Sequence, residues 1–323
     1  MKIINSCQKV FIAQGIKMKT IVRKFLQLVN LPVKKTWWYK SNYGDTIKMK
    51  KWNTFNLDLV NLGSSSVRFG LDYSECKINA ANWAMAPQNI SSDFAILKNY
   101  HSYIKENGLL LLLLCPFSGM VIDYPDKKFY DSYHYFLHPI LIKHFSEQTM
   151  KKNRKIIEYP LLATPKIAIK AVIKKMLGKD KPKYLNARTD AQNRINGWKK
   201  EFSINDFADP LSDENLKAIE FNTKLLCEMT EFCKERNLKP FIGIMPVTKT
   251  LKDLIPQEFI QRAFYDMVEK IKECTGVQIL DYYRSVEFES EDLYLDSFLM
   301  NEKGRKLFTE RVLMDLQKYG ERN

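Results

Sequence analysis

Apolar positions along the chain fall into short continuous runs separated by longer stretches with helical spacing. Leu57-Asp58-Leu59-Val60-Asn61-Leu62 predicts a strand that leads into a serine-rich turn. Ser91 or Ser92 is placed to cap a helix from Asp93 to about Glu106, ended by Asn107-Gly108. Leu109 to Cys115 is uninterrupted apolar sequence stopped by Pro116, the pattern of a strand buried on both faces. Ser212 before Asp213 and Glu214 starts a helix to about Arg236, with Leu216, Ile219, Leu226, Met229 and Phe232 near helical spacing. A strand over Pro240–Met245, a helix over 256–273 and a strand over Val277–Leu280 follow. Asn301 then caps a closing helix from Glu302 to Tyr319.

Strands that alternate with helices of this length imply right-handed crossovers and a mostly parallel sheet between two helical layers. The expected fold class is an α/β three-layer sandwich. Ligands of such sheets sit at the carboxyl ends of the strands, where both the serine turn and the segment before the closing helix emerge.

Between Phe117 and about Leu211 the pattern changes to a Lys-, Tyr- and Pro-rich stretch holding three of the four histidines. It reads as an insertion or cap at 117–211 in a domain spanning 51–323, preceded by a basic segment over 1–50. Within it, Lys166 to Gly178 predicts a basic amphipathic helix. Lys166, Lys170 and Lys174 share one face, and Ile169, Val172, Ile173 and Met176 lie on another. That apolar face either packs on the domain or lies on an anionic membrane surface.

Charge adds asymmetry. The net charge is +14, the first acidic residue is Asp45, and a second basic block runs from Lys151 to Lys183. Such blocks attract lipid headgroups, phosphorylated substrates or nucleic acid, and equally serve as a solvated surface. No nucleic-acid recognition motif accompanies the charge, so no specific nucleic-acid partner is expected. The longest apolar run, Leu109–Phe117, is too short to span a bilayer, and no signal-peptide pattern is present. The cysteines at 7, 76, 115, 227, 233 and 274 lack metal spacing and read as reduced thiols of a cytoplasmic protein, peripheral to the membrane if the basic helix docks there.

Two separated segments carry the candidate chemistry. Gly63-Ser64-Ser65 follows a strand, where a tight turn presents a hydroxyl at the sheet edge and the next helix offers backbone N–H groups. Asp296-Ser297-Phe298-Leu299 precedes Asn301, Gly304 and the final helix. Together they resemble the two ends of the SGNH (GDSL-like) hydrolase site, over roughly residues 55–115 and 212–318. The resemblance implies Ser65 as nucleophile, Asp296 as the carboxylate of an Asp-x-x-His motif, and an oxyanion hole from Ser65, a backbone N–H of Ala84 or Ala86, and Ser118 in place of the usual asparagine.

The histidine position of that motif holds Leu299, which carries no proton. No histidine follows His144. His134, in a second Asp-x-x-His spacing with Asp131, and His138 are the candidate substitute bases. Their separation of four also suits metal ligation, but no third ligand accompanies them, so no metal or cofactor is implied. The resemblance thus implies a carbohydrate esterase or O-acyltransferase acting on a glycan or lipid-linked glycan. The alternative is a catalytically silent relative that binds a glycan or protein partner in the same cleft.

Overall fold

The computed structural model describes residues 24–123 and 127–320; Cys7 and the first 23 residues of the basic N-terminal segment lie outside them. Along the chain come α1 (24–34), α2 (Trp37–Lys50), β1 (Leu57–Leu62), α3 (Ser65–Gly70), β2 (Ala80–Asn82), α4 (Ile90–Tyr100) and β3 (Ile104–Leu114). Next are α5 (Glu147–Glu158), α6 (Pro160–Ala163), α7 (Pro165–Met176), α8 (Ala187–Glu201), α9 (Asp213–Lys234) and β4 (Lys239–Ile244). The chain closes with α10 (Lys249–Lys252), α11 (Gln257–Ile260), α12 (Asp266–Thr275), β5 (Gln278–Asp281) and α13 (Glu302–Gly320).

These elements form two compact units. Residues 53–129 and 183–320 make the sheet unit, and residues 24–52 and 130–182 make a helical unit. The stretch anticipated as one insertion over 117–211 is therefore divided: its central part groups with the N-terminal helices, and its last part, including α8, belongs with the sheet.

In the sheet unit five parallel strands run in the order β2-β1-β3-β4-β5, flanked by helices in a three-layer α/β sandwich. Helix α9 packs against both α4 and α12, and α3 packs on α13. Central β3 explains its own sequence: Leu110 to Leu114 are all buried, because a strand paired on both edges and covered on both faces has no polar side. The chain leaves β1 for β2 and returns to β3 on the other side of β1. The strand order reverses there, which opens a crevice at the carboxyl ends of β1 and β3.

The predicted elements recur with shifted ends. Asn89, not Ser91 or Ser92, caps α4, its side chain accepting from Ser92 N at 3.0 Å, so Asp93 falls inside the first turn. α4 stops at Tyr100 rather than Glu106, because Ile104 already pairs with Leu57 and the register then shifts before Leu59 meets Leu109. Asn107, at φ +60°, turns within that irregular stretch. Ser212 caps α9 by accepting from Asn215 N at 3.2 Å, and Asn301 accepts from Gly304 N at 3.0 Å at the start of α13.

Cys227 on α9 and Cys274 on α12 form a disulfide, which corrects the expectation of reduced thiols throughout. Their separation of 47 residues hid the pairing until the two helices packed together. Cys76, Cys115 and Cys233 are free. Among the described residues no helix is long and apolar enough to cross a membrane.

Candidate functional site

The site begins with Gly63. Its φ of +139° is one that L side chains rarely adopt, and a Cβ there would lie 2.6 Å from the Leu113 carbonyl oxygen. Glycine lets the chain turn tightly from β1 into α3 beside the end of β3. The Gly63 N–H donates to Asp93 Oδ1 at 2.9 Å. Ser64 precedes α3, and its hydroxyl accepts from Gln88 N at 3.2 Å. Ser65 opens α3, is half-buried and lines the crevice. Among the described residues its hydroxyl has no hydrogen-bond partner. Ser66 points into the protein, 2.8 Å from Cys115 Sγ.

The other oxyanion candidates are spent or set aside. Ala84 N donates to Asn82 Oδ1 at 3.0 Å. That oxygen also accepts from Asn61 Nδ2 at 2.9 Å, while Asn82 Nδ2 donates to Leu71 O at 3.0 Å, tying the exit of β2 to the end of α3. Ala86 precedes a cis Ala86–Pro87 bond and is not among the lining residues, although Pro87 is. Ser118 does line the crevice, but its hydroxyl accepts from Cys115 N and its N–H donates to Cys115 O, both at 2.9 Å, closing the turn after β3. Of the four, Ser65 alone both lines the crevice and keeps its hydroxyl uncommitted.

Asp296 is held by its own loop and by α8. Its Oδ1 accepts from Phe298 N at 2.8 Å and Leu299 N at 2.7 Å, and its Oδ2 lies 3.6 Å from an Arg194 guanidinium nitrogen. Arg194 also pairs with Asp190 at 3.0 Å and lies 4.6 Å over the Phe298 ring. Asp190 in turn accepts from Ser297 N at 3.1 Å and from the Ser297 hydroxyl. Burial pushes the Asp296 carboxyl above its ordinary range; its backbone hydrogen bonds pull the other way, Asp190 adds to the rise and Arg194 opposes it. The partner of this carboxylate is thus an arginine on α8, not a histidine. Leu299 contributes its N–H to Asp296 and does not line the crevice.

Both substitute bases belong to the helical unit, whereas the residues that line the crevice all belong to the sheet unit. His134 is buried in the helical unit with both ring nitrogens engaged: Nδ1 with Tyr130 O at 3.0 Å, and Nε2 accepting from Ser146 N at 3.0 Å. Its ring stacks on Phe145 with centroids 5.5 Å apart. His138 accepts from Ile140 N at 3.4 Å and caps the short turn Pro139–Leu141. The two histidines therefore sit on separate turns rather than on one helix face.

The crevice is a cavity of about 250 Å³ with a polar floor and an aromatic wall. Trp198 from α8 stacks on Phe117 at 4.4 Å and meets Phe298 edge-on at 5.7 Å; Phe117 also stacks with Phe202 at 5.7 Å. The floor carries Asp93, which is 3% exposed. Desolvation raises its carboxyl to about 7, against hydrogen bonds from Gln88 and Gly63 that favour the ionised form. Burial also raises Glu201 at the rim. Cys115 is pushed up to about 11 by burial, which keeps it a neutral thiol and unsuited to nucleophilic attack.

Asp93, Arg194 and Trp198 were missed from sequence. Asp93 reads there as a helix-start carboxylate, and Arg194 and Trp198 sit in a stretch whose pattern separates it from the sheet. No protein-family model matches the chain and no curated protein matches it.

Proposed function

We propose that this chain is an SGNH-like protein whose crevice binds a carbohydrate, acylated or not, without serine-hydrolase chemistry. The observation that carries the reading is the Arg194–Asp296 contact at 3.6 Å. The carboxylate that would orient a catalytic histidine is committed to an arginine, and Leu299 stands in the histidine position. A serine hydroxyl with no base is a poor nucleophile. The lining supports a sugar ligand: the Trp198 ring, half-buried and backed by Phe117, suits the apolar C–H face of a pyranose, and Ser65, the unpaired Gln88 Oε1 and Glu201 supply hydrogen bonds to hydroxyls. Arg194 is offset by Asp190 and Asp296, so the pocket does not demand an anionic ligand.

The test is calorimetric titration of neutral and O-acetylated oligosaccharides against wild type and Trp198→Ala. Saturable binding that falls at least tenfold in the variant supports the reading; binding unaffected by the substitution places the ligand elsewhere.

An esterase reading keeps one specific observation in its favour. The unbonded Ser65 hydroxyl shares the crevice with Asp93, whose carboxyl at about 7 lies in the range of a general base. On that reading aryl-acetate hydrolysis rises through pH 7 and is lost in both Ser65→Ala and Asp93→Asn.

A further inference from the structure

The helical unit carries a surface that burial does not explain. α7 turns its small residues inward: Ala168 and Ala171 are buried. Its large apolar residues point out, with Ile169 and Ile173 each 51% exposed and Met176 81% exposed. Of the two destinations open to this apolar face, packing on the protein is not the one Ile169, Ile173 and Met176 adopt. On a helix of 100° per residue, Ile169, Ile173 and Met176 form one outward stripe, and Lys166, Lys170 and Lys174 form the stripe beside it. Contiguous exposed apolar surface of this kind is rare unless something covers it.

Charge selects the occupant. Between Glu158 and Asp180 the chain has five lysines and no acidic residue. Lys175 meets Asp180 at 3.8 Å, while among the described residues Lys166, Lys170 and Lys174 have no carboxylate partner. A second copy packed on this face would bring its own lysine stripe against the first, a repulsive arrangement. An anionic bilayer offers phosphates to the lysines and acyl chains to the isoleucines at once. At twelve residues α7 is about 18 Å long, too short to span and suited to lie in the interface. The same unit exposes Phe25, Leu28 and Leu162, at 63%, 63% and 53%.

We infer that the helical unit docks on anionic membrane surfaces through α7, with the Ile169–Ile173–Met176 stripe entering the headgroup boundary and Lys166, Lys170 and Lys174 binding lipid phosphates. This rests on the helical unit alone and stands apart from the sugar-binding reading of the crevice.

The test is vesicle flotation of the full chain. Phosphatidylcholine vesicles are compared with vesicles containing phosphatidylglycerol. Two variants join the wild type: Ile169→Glu/Ile173→Glu/Met176→Glu and Lys166→Gln/Lys170→Gln/Lys174→Gln. All six side chains are exposed, so both variants keep the fold, and unchanged melting temperatures check this. The wild type floats with anionic vesicles only. The lysine variant binds roughly a hundredfold more weakly, from about fivefold per lysine near an anionic surface, and the glutamate variant does not float. The inference is overturned if the wild type stays unbound on anionic vesicles or if both variants float as it does. It is also overturned if vesicle-free protein is a dimer that the glutamate variant dissociates, which makes the occupant a second copy.

Discussion

Replacing Asp93 by asparagine removes one titrating proton from the floor of the crevice and keeps the shape of the side chain. In the native protein this carboxyl is raised from 3.8 to about 7, chiefly because it is buried. A raised carboxylate stabilises the fold at low pH and loses that contribution as pH climbs, because between the two values the native state holds a proton that the unfolded chain has released. The wild type is therefore expected to lose stability from about pH 4 to about pH 7, at roughly 1.4 kcal/mol per pH unit, and to level off above. The accumulated loss is about 4 kcal/mol. Asparagine can still accept from the Gly63 and Gln88 N–H groups that Asp93 engages. Asp93→Asn should thus resemble wild type near pH 4 and be more stable near pH 8. Urea unfolding of both proteins from pH 4.5 to 8.5 reads the difference. A wild-type-minus-variant gap that stays constant with pH refutes the reasoning, because it means that Asp93 is ionised in the fold throughout.

Arg194→Met leaves Asp190 and Asp296 close together without their shared cation, and should cost about 1–3 kcal/mol in urea unfolding; a loss under about 0.5 kcal/mol shows that the cluster does not hold the loop. Gly63→Ala forces a side chain into a φ of +139° against the Leu113 carbonyl, costing about 1–3 kcal/mol from the backbone alone, read by the same unfolding assay. Non-reducing peptide mapping should recover a Cys227–Cys274 cross-linked peptide, and reduction should lower stability by up to about 4 kcal/mol for a loop of 47 residues. Free thiols at both positions in protein kept from reductants contradict the pairing.

The sheet was legible because its signals are local. The Leu110–Leu114 run can only be a strand covered on both faces, Gly63 marks a turn, and Ser212 and Asn301 cap helices as their spacing implies. Other features depend on distant packing. α8 buries only Ala187, Ala191 and Ile195, so its sequence looks polar and gave no sign that it belongs beside the Asp296 loop. The helix over Asp93–Glu106 came out shorter because pairing with Leu57 claims Ile104, a contact that helical periodicity does not report. α7 shows the converse: its isoleucines carry a correct amphipathic pattern, yet the alanines face inward. Ser65, which lines the crevice, and Asp296, on the loop beside α8, stand out in the sequence through their motifs. The arginine that binds this carboxylate and the buried Asp93 needed three-dimensional placement.

The most direct test of a carbohydrate-binding crevice without triad chemistry is fluorophosphonate labelling of the purified wild type beside Ser65→Ala, with aryl-acetate hydrolysis followed in parallel. With Asp296 committed to Arg194 and no histidine in the crevice lining, the wild type should label no faster than Ser65→Ala and show no turnover that depends on Ser65. Labelling confined to Ser65, with hydrolysis that the substitution abolishes, would contradict the proposal and establish the chain as an active serine esterase.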